Sequence, residues 1–142
     1  MMPLGTHDMD KFTTITIEQR DAIEIISLNR PDARNAVNPT MADELIAYFS
    51  GLHDSPSTRI VILRGNGKEF CAGAELGSDA FIAPGAGRPQ RQLFMQQRYS
   101  RIVRLMRSCP QPIVALVHGA ACGAGFSLLL ASDVALPHQR RG

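Results

Sequence analysis

Twice in this chain a short run of apolar, mostly β-branched residues leads straight into a turn made of little but glycine, alanine and cysteine. The first is Ile60-Val61-Ile62-Leu63, followed by Arg64-Gly65-Asn66-Gly67-Lys68 and then Phe70-Cys71-Ala72-Gly73-Ala74-Glu75-Leu76. The second is Ile113-Val114-Ala115-Leu116-Val117, followed by His118-Gly119-Ala120-Ala121-Cys122-Gly123-Ala124-Gly125. A continuous apolar run of this length suits a strand covered on both faces, as in a parallel sheet flanked by helices. Small residues after the strand let a ligand approach the main chain, and glycine reaches dihedrals that expose successive N–H groups. Two such turns facing one another can aim two N–H donors at one oxygen, the arrangement that stabilises charge developing on a carbonyl oxygen. A nucleotide loop is the competing reading. The spacing Gly119-x-x-x-Gly123-x-Gly125 differs from G-x-G-x-x-G, and no Lys-Ser/Thr follows for a phosphate loop. Pattern alone leaves tight helix–strand packing and main-chain ligand contact both open.

The elements around these runs complete an alternating layout. Thr14, Ile15, Thr16 and Ile17, then Ile23, Ile25, Ile26 and Leu28, predict a two-stranded hairpin across the charged residues 18–21. Residues 29–37, with Pro31 and several Asn and Asp, predict a shaped loop. Asn38-Pro39 opens a helix, because an Asn side chain caps a free N–H and proline is tolerated at the first position. Met41, Leu45, Phe49 and Leu52 form its apolar stripe, Asp43 and Glu44 favour the positive end of its dipole, and Asp54-Ser55-Pro56 ends it. A Gly/Ala/Pro-rich stretch over residues 77–89 reads as a mobile loop. A helix over residues 90–107 follows, with Leu93, Tyr99, Ile102, Val103 and Met106 near one face. Its arginines 98, 101, 104 and 107 read as a solvated face. A further helix is expected over residues 126–131, and the order strand, helix, strand makes an α/β fold.

Composition excludes several classes of function. In 142 residues, 15 Lys and Arg stand against 13 Asp and Glu, a net charge of +2, without the concentrated basic face of a nucleic-acid binder. No apolar run reaches the roughly 20 residues of a membrane span, and residues 1–25 lack a secretory signal's apolar core, so a cytoplasmic protein without membrane attachment is expected. Three cysteines, none in a Cys-x-x-Cys pair, suggest neither a disulfide framework nor a metal site. Cys71 and Cys122 are tempting nucleophiles, but the packing reading is preferred, as is a structural, hydrogen-bonded role for His118.

Three separated motifs resemble one family. Asn29-Arg30-Pro31 with Asn35-Ala36, then residues 70–76, then Pro112 through Leu128 with Asp133, are similar to the crotonase (enoyl-CoA hydratase/isomerase) superfamily in order and spacing. The resemblance covers residues from about Thr13 to Leu136. It implies a crotonase-like spiral of ββα repeats that binds acyl-CoA, with the main-chain N–H groups of Ala74 and Ala124 polarising the thioester oxygen. It also implies a CoA and pantetheine path along Arg34 to Ala36 and Ala72 to Leu76, with Glu75, Cys122 and Gly123 beside it, and Arg34 where a cation meets CoA phosphate. No cofactor is implied beyond CoA within the thioester substrate, and assembly as homotrimers or hexamers is. Ser127 stands where the family's hydratases carry a glutamate, and serine is no general base at neutral pH without a partner to take its proton. The family's second glutamate lies in a region with no counterpart here. Of the carboxylates left, Asp133 matches a structural position, Glu75 reads as a turn or cap contact, and Asp79 falls in the mobile loop.

The expected layout is an arm over residues 1–12, a core over 13–136 and a tail over 137–142. The family fold is longer, and Pro137-His138-Gln139-Arg140-Arg141-Gly142 resembles a shifted frame or an early stop. Two functions are therefore weighed. One is a thioester-binding protein that stabilises an enolate, with poor hydratase chemistry; the other is a silent truncated fragment or an assembly subunit of the same family.

Overall fold

The computed structural model describes residues 11–73 and 88–138. Five strands form one mixed sheet in chain order: β1 (Ile15–Arg20), β2 (Ile23–Leu28), β3 (Ile60–Gly65), β4 (Ile113–Val117) and β5 (Val134–Pro137). The first pair is an antiparallel hairpin turned at Asp21 and Ala22, and each later strand pairs parallel to the one before it. Parallel neighbours need crossovers, and three helices supply them: α1 (Pro39–Gly51), α2 (Arg88–Ser108) and α3 (Ala124–Ala131).

Local chemistry sets α1 as its sequence predicts. Asn38 is extended at the N-cap, and its Oδ1 accepts from the Met41 N–H at 2.8 Å, with Pro39 in the first turn. Met41, Leu45, Phe49 and Leu52 are all buried against the sheet. The two acids play other parts than the dipole role expected of them, because both lie beyond the first turn. Glu44 is buried and accepts from the Thr13 and Thr14 N–H groups at 2.9 and 2.8 Å, which anchors the entry of β1. Asp43 pairs with Arg98 of α2.

The continuous apolar runs are not covered on both faces as expected. Val61 and Leu63 are fully buried while Ile60 is 38% exposed, and in β4 only Ile113 and Ala115 are buried. Crossovers between parallel strands share one hand, and here each steps one place in the same direction. All three helices therefore stack on one face of the sheet, with α1 against α2 and α2 against α3. The core lies beneath them, and Phe12 packs against it from before β1.

Two further expectations shift. The face of α2 carries Ile102 and Met106 into the core, but Leu93, one of the residues assigned to that face, is 59% exposed. Its turn of helix runs out past the packed layer. Arg101, Arg104 and Arg107 are solvated as predicted, whereas Arg98 leaves the row to pair with Asp43 and stack on Phe94, its Cζ 4.4 Å from the ring centre. No described helix is long and apolar enough to cross a membrane.

Candidate functional site

β3 and β4 are parallel neighbours and finish at the same end of the sheet, so their glycine-rich turns emerge side by side. Phe70 N–H donates to His118 O at 2.8 Å, Cys71 N–H to Ala120 O at 3.1 Å and Cys122 N–H to Cys71 O at 3.1 Å, closing a parallel bridge between Cys71 and Ala121. Beyond the bridge Gly73 and Gly123 meet. A Cβ on Gly123 would lie 3.8 Å from Gly73 Cα, and Gly123 turns the chain into α3 with φ +52°, a dihedral that favours glycine. At the head of α3 the Ala124 N–H carries no hydrogen bond among the described residues, whereas Gly125 N–H donates to Cys122 O and Ser127 N–H to Gly123 O.

A third segment joins the same place. The loop after β2 carries a single 3₁₀ turn (Pro31–Ala33), and Arg34 and Asn35 follow it in left-handed conformation. Ala72 N–H donates to Arg34 O at 2.9 Å and Val37 N–H to Gly73 O at 2.7 Å, so Arg34, Ala36 and Ala72 run alongside one another. Asn35, fully buried, holds this register. Its amide donates to Asn66 O and Glu69 O, both at 2.8 Å, and its oxygen accepts from the Arg30 N–H.

The sequence candidates sort accordingly. Arg34, Ala36, Ala72, Cys122, Gly123, Ala124 and Ser127 gather around the paired turns, while Ala74, Glu75, Leu76 and Asp79 lie outside the described residues. The Arg34 guanidinium is solvent-facing but pairs with Glu69, whose hydrogen bond and charge raise its pKa above the ordinary arginine value. One buried oxygen of Glu69 has no hydrogen-bond partner among the described residues. Cys71 is buried, and burial pushes its thiol up to about 11, which keeps it a packed, protonated group as the sequence reading prefers. His118 Nε2 lies 2.8 Å from Gly67 O, and Asp133 Oδ2 accepts from the Ile113 N–H at 2.7 Å, the structural roles expected of both. No trio of metal-ligating side chains is grouped among the described residues.

Two participants escape a reading of pattern alone. Glu69 follows a glycine-rich turn with no signal that it reaches back to Arg34. Tyr99 registers only as one apolar position of a helix face, yet with Val37, Leu45, Ile102, Ser127 and Leu128 it lines a narrow gap between the three helices, beside Ala124, with room for about one water.

The chain matches the family model described as enoyl-CoA hydratase/isomerase over residues 18–140. It is 36% identical over 129 residues to a "probable enoyl-CoA hydratase" of Rhodobacter capsulatus, covering 90% of this chain and 47% of that protein. Against the hydroxycinnamoyl-CoA hydratase-lyase of Pseudomonas fluorescens the identity is 33%, over 89% of this chain and 46% of the relative. Among solved structures, an enoyl-CoA hydratase/isomerase from Marinobacter aquaeolei superposes with a TM-score of 0.77 at 31% identity, over 87% of this chain and 48% of that one. The chain thus spans about half the length of the relatives it matches. The α/β architecture and the three motifs agree with these matches, and the chain belongs to the enoyl-CoA hydratase/isomerase (crotonase) family.

Proposed function

We propose that this chain binds an acyl-CoA thioester and polarises its carbonyl between the N–H groups of Ala74 and Ala124, stabilising an enolate. The observation that carries the reading is the bridged pair of turns, with the Ala124 N–H at the head of α3 making no hydrogen bond among the described residues. A donor held by backbone needs no reorganisation when charge develops on the oxygen, so its stabilisation is available at the transition state. The helix dipole adds positive potential at the same end. The relatives' names all specify CoA thioesters, which supports the substrate class.

Ser127 lines the gap one turn into α3, and no carboxylate is among the described residues that line it with Ser127. Hydration of an enoyl group needs a base to take a proton from water, and a serine hydroxyl supplies none. Weak hydratase activity therefore accompanies thioester binding. Isothermal titration with crotonyl-CoA and acetyl-CoA tests the reading: saturable binding is expected, and no heat at millimolar ligand overturns it. Ser127→Glu, followed by loss of the enoyl thioester absorbance, is expected to raise the hydration rate by roughly 100-fold, the lower end for a positioned acid–base group. A wild-type rate that the substitution fails to raise overturns the assignment of Ser127.

A second reading, an assembly subunit without chemistry of its own, is favoured by one observation. Phe126 and Leu130 of α3 are 50% and 65% exposed next to the site, an apolar face of the kind that marks a protein contact.

A further inference from the structure

The parallel ladder between β4 and β5 continues one position past the strands themselves. Val117 stands opposite Pro137, and the His138 N–H donates to Val117 O at 2.8 Å, so the next residues in register are His118 and His138. Residues in register on parallel neighbours project from the same face, and the two imidazoles meet edge to face with ring centres 6.4 Å apart. His118 is 9% exposed and His138 half-buried, so one ring lies inside the molecule and the other near its surface.

The two nitrogens of His118 are not equivalent. Nε2 lies 2.8 Å from Gly67 O; a carbonyl only accepts, so Nε2 carries the proton and Nδ1 of the neutral ring presents a bare lone pair. That lone pair is closed to solvent and has no hydrogen-bond partner among the described residues. The nitrogens of an imidazole point to nearly opposite sides of the ring. With Nε2 turned to the β3 turn on one side of β4, Nδ1 faces the other side, where β5 brings His138. A buried acceptor without a donor calls for an explanation. An imidazole that gives one N–H to a backbone carbonyl and keeps its other nitrogen bare is the form in which histidine binds a metal, the carbonyl fixing tautomer and ring orientation.

We propose that His118 Nδ1 and His138 form a two-histidine site for a divalent transition-metal ion, with water completing the coordination on the open side of His138. The spacing suits one ion. A metal–nitrogen bond of about 2.0–2.1 Å, with about 1.2 Å more from nitrogen to ring centre, sets two imidazoles on a shared ion roughly 5–6.5 Å apart, centre to centre, as the angle at the ion opens from tetrahedral. Imidazole selects zinc, nickel or copper over the oxygen-seeking calcium and magnesium. Bound there, the ion clamps the end of β5, whose four residues are all exposed, to β4. The site is independent of the acyl-CoA reading above.

Zinc chloride titrated calorimetrically into the full chain tests the site, the accessible thiols first being capped with iodoacetamide so that they do not compete for the ion. One ion per chain is expected, and His138→Ala, a change near the surface, is expected to weaken binding at least about tenfold. Hydrogen exchange gives a second reading: zinc is expected to slow exchange of the amide at position 138, which donates to Val117 O, in the wild type and not in the variant. Equal affinities of wild type and His138→Ala would place the ion elsewhere and overturn the proposal. An unprotected amide in the zinc-loaded wild type overturns it as well, as does a wild type that takes up no zinc at millimolar concentration.

Discussion

Cys71 and Cys122 stand beside one bridge and differ in their access to solvent. Cys122 is exposed; Cys71 is fully enclosed, its Sγ 3.1 Å from Asn35 O, with burial holding the thiol at about 11 against an ordinary 9. Because the thiolate is the nucleophile, Ellman's reagent at pH 8 is expected to label Cys122 within minutes, the half-buried Cys109 slowly and Cys71 only on unfolding. Labelling of Cys71 at the rate of Cys122 would show the bridge to be open. The raised value also fixes a direction: enclosing Cys71 contributes stability below pH 9 and loses it as pH climbs from 9 toward 11. Asn35 makes the larger single contribution, since Asn35→Ala strands the Arg30 N–H and two carbonyls. A loss of about 3 kcal/mol is expected, read as a lower urea midpoint.

At the scale of elements, α3 sits directly on the β3 turn. A Cβ on Gly125 would stand 2.5 Å from Cys71 O and 2.7 Å from Cys71 Cβ, both too rigid to give way. Gly125→Ala must push the helix from the turn, at about 1–3 kcal/mol, and should weaken acyl-CoA binding in the same samples. Gly51 is the contrast: at the end of α1 it has ordinary helical dihedrals and nothing within 4 Å of an added Cβ, so Gly51→Ala should stabilise by about 0.5–1 kcal/mol. Opposite signs from two Gly→Ala changes check the close approach specifically. What the sequence makes legible at this scale is local. Asn38-Pro39 announces α1 because the cap needs only neighbouring residues, and β-branched runs announce the strands. The one-sided burial of β3 and β4 comes from crossover handedness, which no window of residues contains. The clamp of Glu44 on Thr13 and Thr14 bridges 30 residues and is equally invisible locally. In the site, the turns were legible because glycine has few other reasons to cluster after a strand. Tyr99 was not, since helical spacing records that a residue faces inward without recording whether its polar atom finds a partner.

For the molecule as a whole, the unbalanced feature is the far edge of the sheet. All four residues of β5 are exposed, Val134 and Leu136 at 47% each, beside Phe126 and Leu130. An edge strand with apolar side chains and open backbone groups invites another strand, so light scattering is expected to give a concentration-dependent mass above 15.5 kDa. Leu130→Glu should lower that mass, and a clean monomer at every concentration would show that the edge is not adhesive. The sheet has a further property in its strand order, which repeats the order of the chain. A chain leaves the ribosome from its N-terminus, so these strands are made in the order in which they pair. Here each strand, as it leaves the ribosome, finds its neighbour already in place: the hairpin first, then β3, then β4, with no earlier strand waiting for a later one to be inserted between it and its partner. The bridge of Cys71 to Ala121 closes as soon as β4 has added, and α3 follows directly. The residues of the paired turns thus all precede β5 in the order of synthesis.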